Sequence, residues 1–166
     1  MQNIFSRIGI CILVVVSCFC LLVVVSCAEK TEPVTAVKPI NLSELKGKIS
    51  SNKSGVLIVD FWATWCPPCR KEIPGFINLY KKYKDKGLEI IGVSIDRGGI
   101  TVVQPFVQNF GINYPVFLGN DEISNAYKIE GIPTTLIVDK NGETKSRHVG
   151  YVSEEDFEKE ILALLK

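Results

Sequence analysis

Apolar and polar positions divide the chain into a leading apolar block and a patterned remainder. Ile8 to Val25 is an unbroken run of apolar or small residues preceded by one cation, Arg7. Beyond Asn41 the pattern becomes short apolar runs alternating with amphipathic stretches. Val56 to Trp62 reads Val-Leu-Ile-Val-Asp-Phe-Trp, the signature of a strand buried on both faces, interrupted only by Asp60. A helix should begin at the Cys66–Cys69 segment and reach about Lys84. Ile73, Phe76, Ile77, Leu79, Tyr80 and Tyr83 recur along it at helical spacing, and Pro74 should kink it. Leu88 to Ile95 predicts a second buried strand, closed by the loop Asp96-Arg97-Gly98-Gly99. A helix over about Val102 to Phe110 then ends at Gly111. Tyr114 to Leu118 is a short apolar segment, and Asp121 to Tyr127 a short helix. Thr134 to Asp139 and Glu143 to Tyr151 flank Lys140-Asn141-Gly142, whose Asn-Gly step signals a hairpin. Ser153 and Asp156 form an approximate capping box for a last helix that turns Phe157, Ile161, Leu164 and Leu165 inward. Ahead of the first strand, Asn41 or Ser43 caps a helical turn through Lys46, and Gly47 to Gly55 reads as a polar loop. The sum is an α/β fold, a central mixed β-sheet flanked by helices on both faces.

The leading block is a targeting segment or an anchor. Its length falls between a signal-peptide core and a membrane span. Val24-Val25-Ser26-Cys27 resembles the bacterial lipobox, in which the cysteine becomes the lipid-modified N-terminus, and Val15-Val16-Ser17-Cys18 is a poorer second match. A cleaved lipoprotein signal and an uncleaved helical anchor both leave Arg7 inside and the domain outside the cytoplasm. Residues 28–40 carry two prolines and no hydrophobic periodicity, and read as a tether, with an edge strand around Val34 to Ile40 compatible. The expected organisation is a signal or anchor over 1–27, a tether over 28–40, and one domain over 41–166.

Length and charge narrow the partners. The 166 residues suffice for one ordinary domain plus the leader. Nineteen Lys and Arg against 18 Asp and Glu leave a net charge of +1. No basic stripe suited to nucleic acid stands out.

Cysteine usage then points to chemistry. Cys11, Cys18 and Cys20 lie in the apolar block and Cys27 is the candidate lipidation site, so the folded part holds only Cys66 and Cys69. Two cysteines three positions apart close almost no loop, which makes stabilisation a poor reason for them. Zinc would need two further ligands where only His148 is on offer, so neither a metal nor another cofactor is expected. Cys66, at a helix N-terminus, has its thiolate favoured by backbone N–H groups and the helix dipole; Cys69, a turn further in, resolves the mixed disulfide. Pro67 and Pro68 remove two of those N–H donors, so the Cys66 pKa should be lowered only moderately and the couple should favour reduction. Arg70 and Lys71 act in the opposite sense. Asp60, a carboxyl in a core strand, and Glu72, one turn past Cys69, both qualify as proton acceptors for Cys69. In Gly131-Ile132-Pro133-Thr134-Thr135 the Ile132–Pro133 bond reads as cis, presenting the Ile132 backbone to an extended substrate. Trp65, with Phe61 and Trp62 if they are not core, offers an apolar docking rim. His148 is a sheet residue with no assigned role.

Val59-Asp60-Phe61-Trp62-Ala63-Thr64-Trp65-Cys66-Pro67-Pro68-Cys69-Arg70-Lys71-Glu72-Ile73-Pro74, together with Gly131 to Thr135, resembles the TlpA/ResA-like thioredoxin family. The likeness runs from about Asn41 to the C-terminus. It extends to Gly111-Ile112-Asn113-Tyr114-Pro115-Val116, which is similar to a connecting segment shared with peroxiredoxins. It implies a thioredoxin-like fold, with Cys66 attacking, Cys69 resolving, Pro133 cis, and Glu72 in the place of an active-site glutamate. Asp60 departs from the common TlpA pattern, which often has Asn there, and looks like the buried aspartate of thioredoxin. The resemblance also implies the partners: disulfide-containing clients such as apocytochromes c, and a membrane thiol reductant of the CcdA/DsbD type. The protein is expected to act as a monomer. The polar stretch Ser50 to Ser54 lengthens the loop before the first buried strand relative to many members. Three rival readings stay open: a thiol oxidase or isomerase, a peroxidase, which lacks its Pro-x-x-x-Thr-x-x-Cys loop here, and a non-catalytic tethered binding module.

Overall fold

Seven consecutive buried side chains make Val56–Trp62, strand β2, the axis of the structure. The computed structural model describes residues 36–53 and 55–165; the expected signal or anchor over 1–27, Cys27 within it, and residues 28–35 of the expected tether lie outside them. The elements in chain order are β1 (Lys38–Pro39), α1 (Leu42–Ser50), β2, α2 (Pro67–Tyr83), a short 3-10 turn (Lys84–Lys86), β3 (Leu88–Ser94), α3 (Ile100–Phe110), β4 (Val116–Leu118), α4 (Asp121–Ala126), β5 (Thr134–Val138), β6 (Thr144–Val149) and α5 (Glu154–Leu164). They form one six-stranded sheet in the order β1-β4-β3-β2-β5-β6. β2 runs parallel to β3 and antiparallel to β5, so it is interior on both edges. That explains why its sequence lacks the alternation of a half-exposed strand.

Alternate residues of β2 serve two cores. Val56, Ile58 and Trp62 pack with Ile73, Phe76, Leu79, Val103, Tyr114, Phe157 and Ile161, under α2, α3 and α5. Leu57, Val59 and Phe61 pack on the opposite face with Leu45, Ile123, Leu136 and Val138, under α1 and α4. Phe61 and Trp62 are therefore fully buried core residues and leave the docking rim to Trp65.

The expected elements recur with small shifts at their ends, and α1 is the exception. Asn41 caps it through a complete capping box with Glu44, and the helix passes Gly47 to end at Ser50. The sequence pattern stopped it at Lys46 because glycine opposes helix by about 1 kcal/mol; the capping box and buried Leu45 outweigh that cost. The polar stretch after it is also less free than its composition suggests. Asn52 is buried, and its side-chain amide donates to the Asp139 carbonyl at 3.0 Å, tying the stretch to the β5–β6 turn. α2 continues through Pro74 to Tyr83. Lys38–Pro39 pair with β4, which realises the edge strand compatible with the tether. Among the described residues no helix is long and apolar enough to cross a membrane.

Phe76 is the hinge of the α2–α5 core: fully buried, with ring centroids 4.9 Å from Phe157 and 6.4 Å from Tyr114. Phe76→Ala should lower unfolding free energy by about 3–5 kcal/mol, as emptying a large aromatic site does. A shift of the urea midpoint at unchanged slope measures it.

Candidate active site

The carboxyl end of β2 delivers the chain into a short turn that begins α2. The Cys66 N–H donates to the Ala63 carbonyl at 3.1 Å, closing the turn. Asp96, at the end of the neighbouring β3, holds that turn from the side. It accepts from the Thr64 N–H at 2.8 Å and the Thr64 hydroxyl at 2.7 Å, and from the Ser94 hydroxyl at 2.8 Å. In the sequence pattern Asp96 falls in the loop after β3. Its signal was an acidic residue directly after a buried strand, and only the sheet order reveals what it meets.

Cys66 is the N-cap of α2, with Pro67 and Pro68 in the first two helical positions. Cys66 and Cys69 are joined as a disulfide, with Cα atoms 5.3 Å apart. Of the free N–H groups at this helix end, Cys69 donates to Cys66 Sγ at 3.2 Å, whereas the Arg70 N–H goes to the Cys66 carbonyl at 3.1 Å. The nearby cations are turned onto rings: the Arg70 guanidinium lies over Phe106 and Phe110, and the Lys71 ammonium over Tyr151. Both cysteines are buried residues, while Trp65 beside them is 65% exposed.

The Ile132–Pro133 bond is cis. Its loop faces the disulfide, with the Ile132 carbonyl oxygen 3.6 Å from Cys66 Sγ. The Thr134 hydroxyl donates to the Gly131 carbonyl at 2.6 Å and the Gly150 N–H to the Pro133 carbonyl at 2.8 Å, fixing the loop from both sides. Ile132 and Pro133 thus come together with Trp65, Cys66 and Cys69.

Asp60 and Glu72 lie beneath, both buried. Asp60 Oδ1 accepts from the Thr135 hydroxyl at 3.4 Å. Burial raises its pKa well above the ordinary carboxylate range, repulsion from Glu72 adds to this, and the Thr135 bond opposes it. Glu72 Oε1 accepts from the Val152 N–H at 2.8 Å, and its Oε2 has no hydrogen-bond partner among the described residues. Burial raises its pKa to about 7, with the Val152 bond acting against the rise. Tyr114, whose hydroxyl is likewise buried and unpartnered among the described residues, is pushed up by burial and by the two carboxylates. Val152 and Tyr114 were invisible as site residues in the sequence, where both read as ordinary apolar positions. The arrangement can hold a dithiol or a disulfide, with buried Glu72 one helical turn beyond Cys69 on α2.

Residues 26–147 match the family model described as the AhpC/TSA family. The chain is 36% identical over 124 residues to the thiol-disulfide oxidoreductase ResA of Geobacillus kaustophilus, covering 72% of this chain and 71% of that protein. It is 38% identical over 128 residues to ResA of Halalkalibacterium halodurans, covering 76% and 68%. Among solved structures, a thiol:disulfide interchange protein of the thioredoxin family from Chlorobium tepidum is 33% identical with a TM-score of 0.64, covering 70% of this chain and 83% of that one. An uncharacterized thioredoxin-like protein from Porphyromonas gingivalis is 32% identical with a TM-score of 0.59, covering 69% and 78%.

The buried carboxyls make stability depend on pH. A carboxyl whose pKa is higher folded than unfolded binds more protons in the folded state, so stability falls as pH rises. For Glu72 the fall begins near its ordinary 4.5 and is complete above about 7. It is on the order of 3 kcal/mol, and Asp60 contributes in the same direction. Urea midpoints of the oxidised protein should therefore decline from pH 5 to pH 8, taken as about the range of the titration. Glu72→Gln and Asp60→Asn should each flatten the decline.

Proposed function

The chain belongs to the AhpC/TSA family, as a thiol-disulfide oxidoreductase of the ResA kind, and on that premise we propose that it reduces disulfides in exported client proteins. The observation that carries the direction is the single N–H, that of Cys69, offered to Cys66 Sγ at a helix end where Pro67 and Pro68 offer none. A thiolate stabilised by few donors keeps the reduced couple from being over-stabilised, and such couples give electrons away.

In the reaction, the Cys66 thiolate attacks a client sulfur and expels the other as a thiolate, leaving a mixed disulfide. Cys69 gives up its proton and attacks Cys66 Sγ. The second client sulfur leaves, and the enzyme carries the Cys66–Cys69 bond. Two electrons have passed to the client. The ionised one of the two buried carboxyls accepts the Cys69 proton: Glu72, with its pKa raised to about 7, ionises more readily than Asp60, which burial and repulsion from Glu72 hold protonated. Trp65 and the Ile132–Pro133 backbone receive the client chain beside Cys66. A membrane thiol reductant of the CcdA/DsbD type returns the two electrons. Haem-site cysteines of apocytochromes c are the proposed clients. The protein works as a monomer outside the cytoplasm, held to the membrane through lipid on Cys27.

Equilibration with glutathione buffers should place the couple below about −200 mV, on the thioredoxin side of the known range. A value near that of strong oxidants would move the assignment to a thiol oxidase. Cys69→Ala should trap disulfide-linked clients from cell envelopes, and adding Cys66→Ser should abolish them; an empty trap counts against client reduction. Radiolabelled palmitate should be incorporated into the wild-type chain and be lost in Cys27→Ser, which should also leave the membrane fraction.

A further inference from the structure

The two ends of the sheet differ in charge. The disulfide lies beyond the carboxyl end of β2, and the amino ends of β2 and β3 lie seven residues away, about 20 Å. Four segments meet at that far end. The Val56 N–H donates to the Gly87 carbonyl at 2.9 Å, the Asn52 amide donates to the Asp139 carbonyl, Gly142 lies against Ile49 and Ser50, and Gly55 lies against Leu165. Residues 48–55, 80–89, 139–145 and 162–165 together carry eight lysines and four carboxyls. The other described residues carry eight cations and twelve carboxyls. A domain of no net formal charge is thus split into a pole of +4 and a remainder of −4.

Local pairing leaves much of the pole uncompensated. Glu158 holds Lys82 at 2.6 Å, and Lys145 is held by Glu143 at 2.7 Å and Asp139 at 3.1 Å. Lys48, Lys53, Lys81, Lys86 and Lys140 are exposed and have no carboxylate within 4 Å among the described residues. Apolar surface lies among these cations. Leu162, in the last turn of α5, is 44% exposed, and with Leu165, Tyr83 and Lys86 it lines an open cleft of about 580 Å³. The Lys82 and Lys86 ammonium groups stand 5.2 and 5.1 Å from the centroid of the Tyr83 ring. Lysines around half-open leucines offer charge to phosphate groups and apolar surface to acyl chains.

Chain direction agrees. β1 is parallel to β4, β4 to β3 and β3 to β2, so the chain enters β1 from the side of the lysine pole and runs toward the disulfide end. A lipid on Cys27, nine residues before Ala36, keeps that entry within about 30 Å of the bilayer.

We propose that the lysine pole rests on an anionic phospholipid surface, with Leu162 and Leu165 at the acyl boundary, and that this contact points Trp65 and Cys66 away from the membrane. It rests on the anchoring through Cys27 proposed above. The docked state serves clients. Recharge by a membrane reductant requires the domain to lift and turn, which a contact made of salt-screened surface charge allows.

The test places the full chain in nanodiscs of phosphatidylcholine, with or without about one-third phosphatidylglycerol, and follows trace acetylation of each lysine by mass spectrometry. Acetylation of Lys53, Lys81 and Lys86 should fall about fivefold in the anionic discs, the order that one lysine near such a surface contributes, and recover at about 0.5 M salt. Lys71 and Lys128, outside the pole, should react alike in both discs. Combining Lys53→Glu, Lys81→Glu and Lys86→Glu should remove the protection of Lys48 and Lys140 while Ellman's reagent still reacts with the reduced chain at the wild-type rate. Equal labelling of the pole in the two discs overturns the proposal, and so does protection spread evenly over Lys71 and Lys128. Protection already complete in neutral discs overturns it as well, since that marks a protein contact. A chain that leaves neutral discs removes the anchor. Binding to anionic discs that the triple reversal abolishes then keeps the lipid-binding pole alone, and no binding removes both.

Discussion

The reactive end of the molecule depends on the double burial of β2. A strand paired on both edges and covered on both faces has no freedom to shift register, because a one-residue slip would exchange its two side-chain sets between cores. Its end therefore fixes where α2 starts, and with it Cys66. The same strand sets Asp60 under the helix that carries Cys69 and Glu72, and brings β5 alongside, so that the loop before Thr134 reaches Cys66 Sγ. Sulfur, carboxyl and cis loop are three consequences of one placement.

Burial has an electrostatic side. Two carboxyls under the disulfide cannot both ionise cheaply, since each is desolvated and each repels the other. Their partners differ: Asp60 has one long hydroxyl bond, Glu72 a shorter backbone N–H bond. The better-partnered Glu72 is the easier of the two to ionise, which leaves Asp60 as the group holding a proton over the wider pH range. The Val152 bond also ties α2 to the segment leading into α5, so the ionisation of Glu72 and the seating of that segment are linked through one contact.

Much of this was legible in the sequence where the signal was local. The β2 run, the helix cap at Cys66, the Asn-Gly hairpin and the Ser153 cap each lie within a few residues, and the structure places them as read. The fold followed from their order. The readings that failed did so where a distant partner overrides local preference. Gly47 reads as a helix stop, yet the Asn41–Glu44 box and Leu45 carry the helix past it. Phe61 and Trp62 could be rim or core until both faces of β2 were seen to be covered. Asp96, Val152 and Tyr114 belong to the site through strand order and long-range contacts, which no spacing along the chain encodes. His148 was legible as a strand residue and lies in β6.

The grip of Asp96 on Thr64 has a consequence for docking. Both the amide and the hydroxyl of Thr64 end on one carboxylate that β3 already holds, so the turn before Cys66 is ordered before any client arrives. Ordering a flexible loop on association weakens binding, and a loop ordered beforehand avoids that loss. The entropy of encounter then falls on the client alone, which favours clients whose disulfide segments are already extended and loosely folded over those that must first be pulled open.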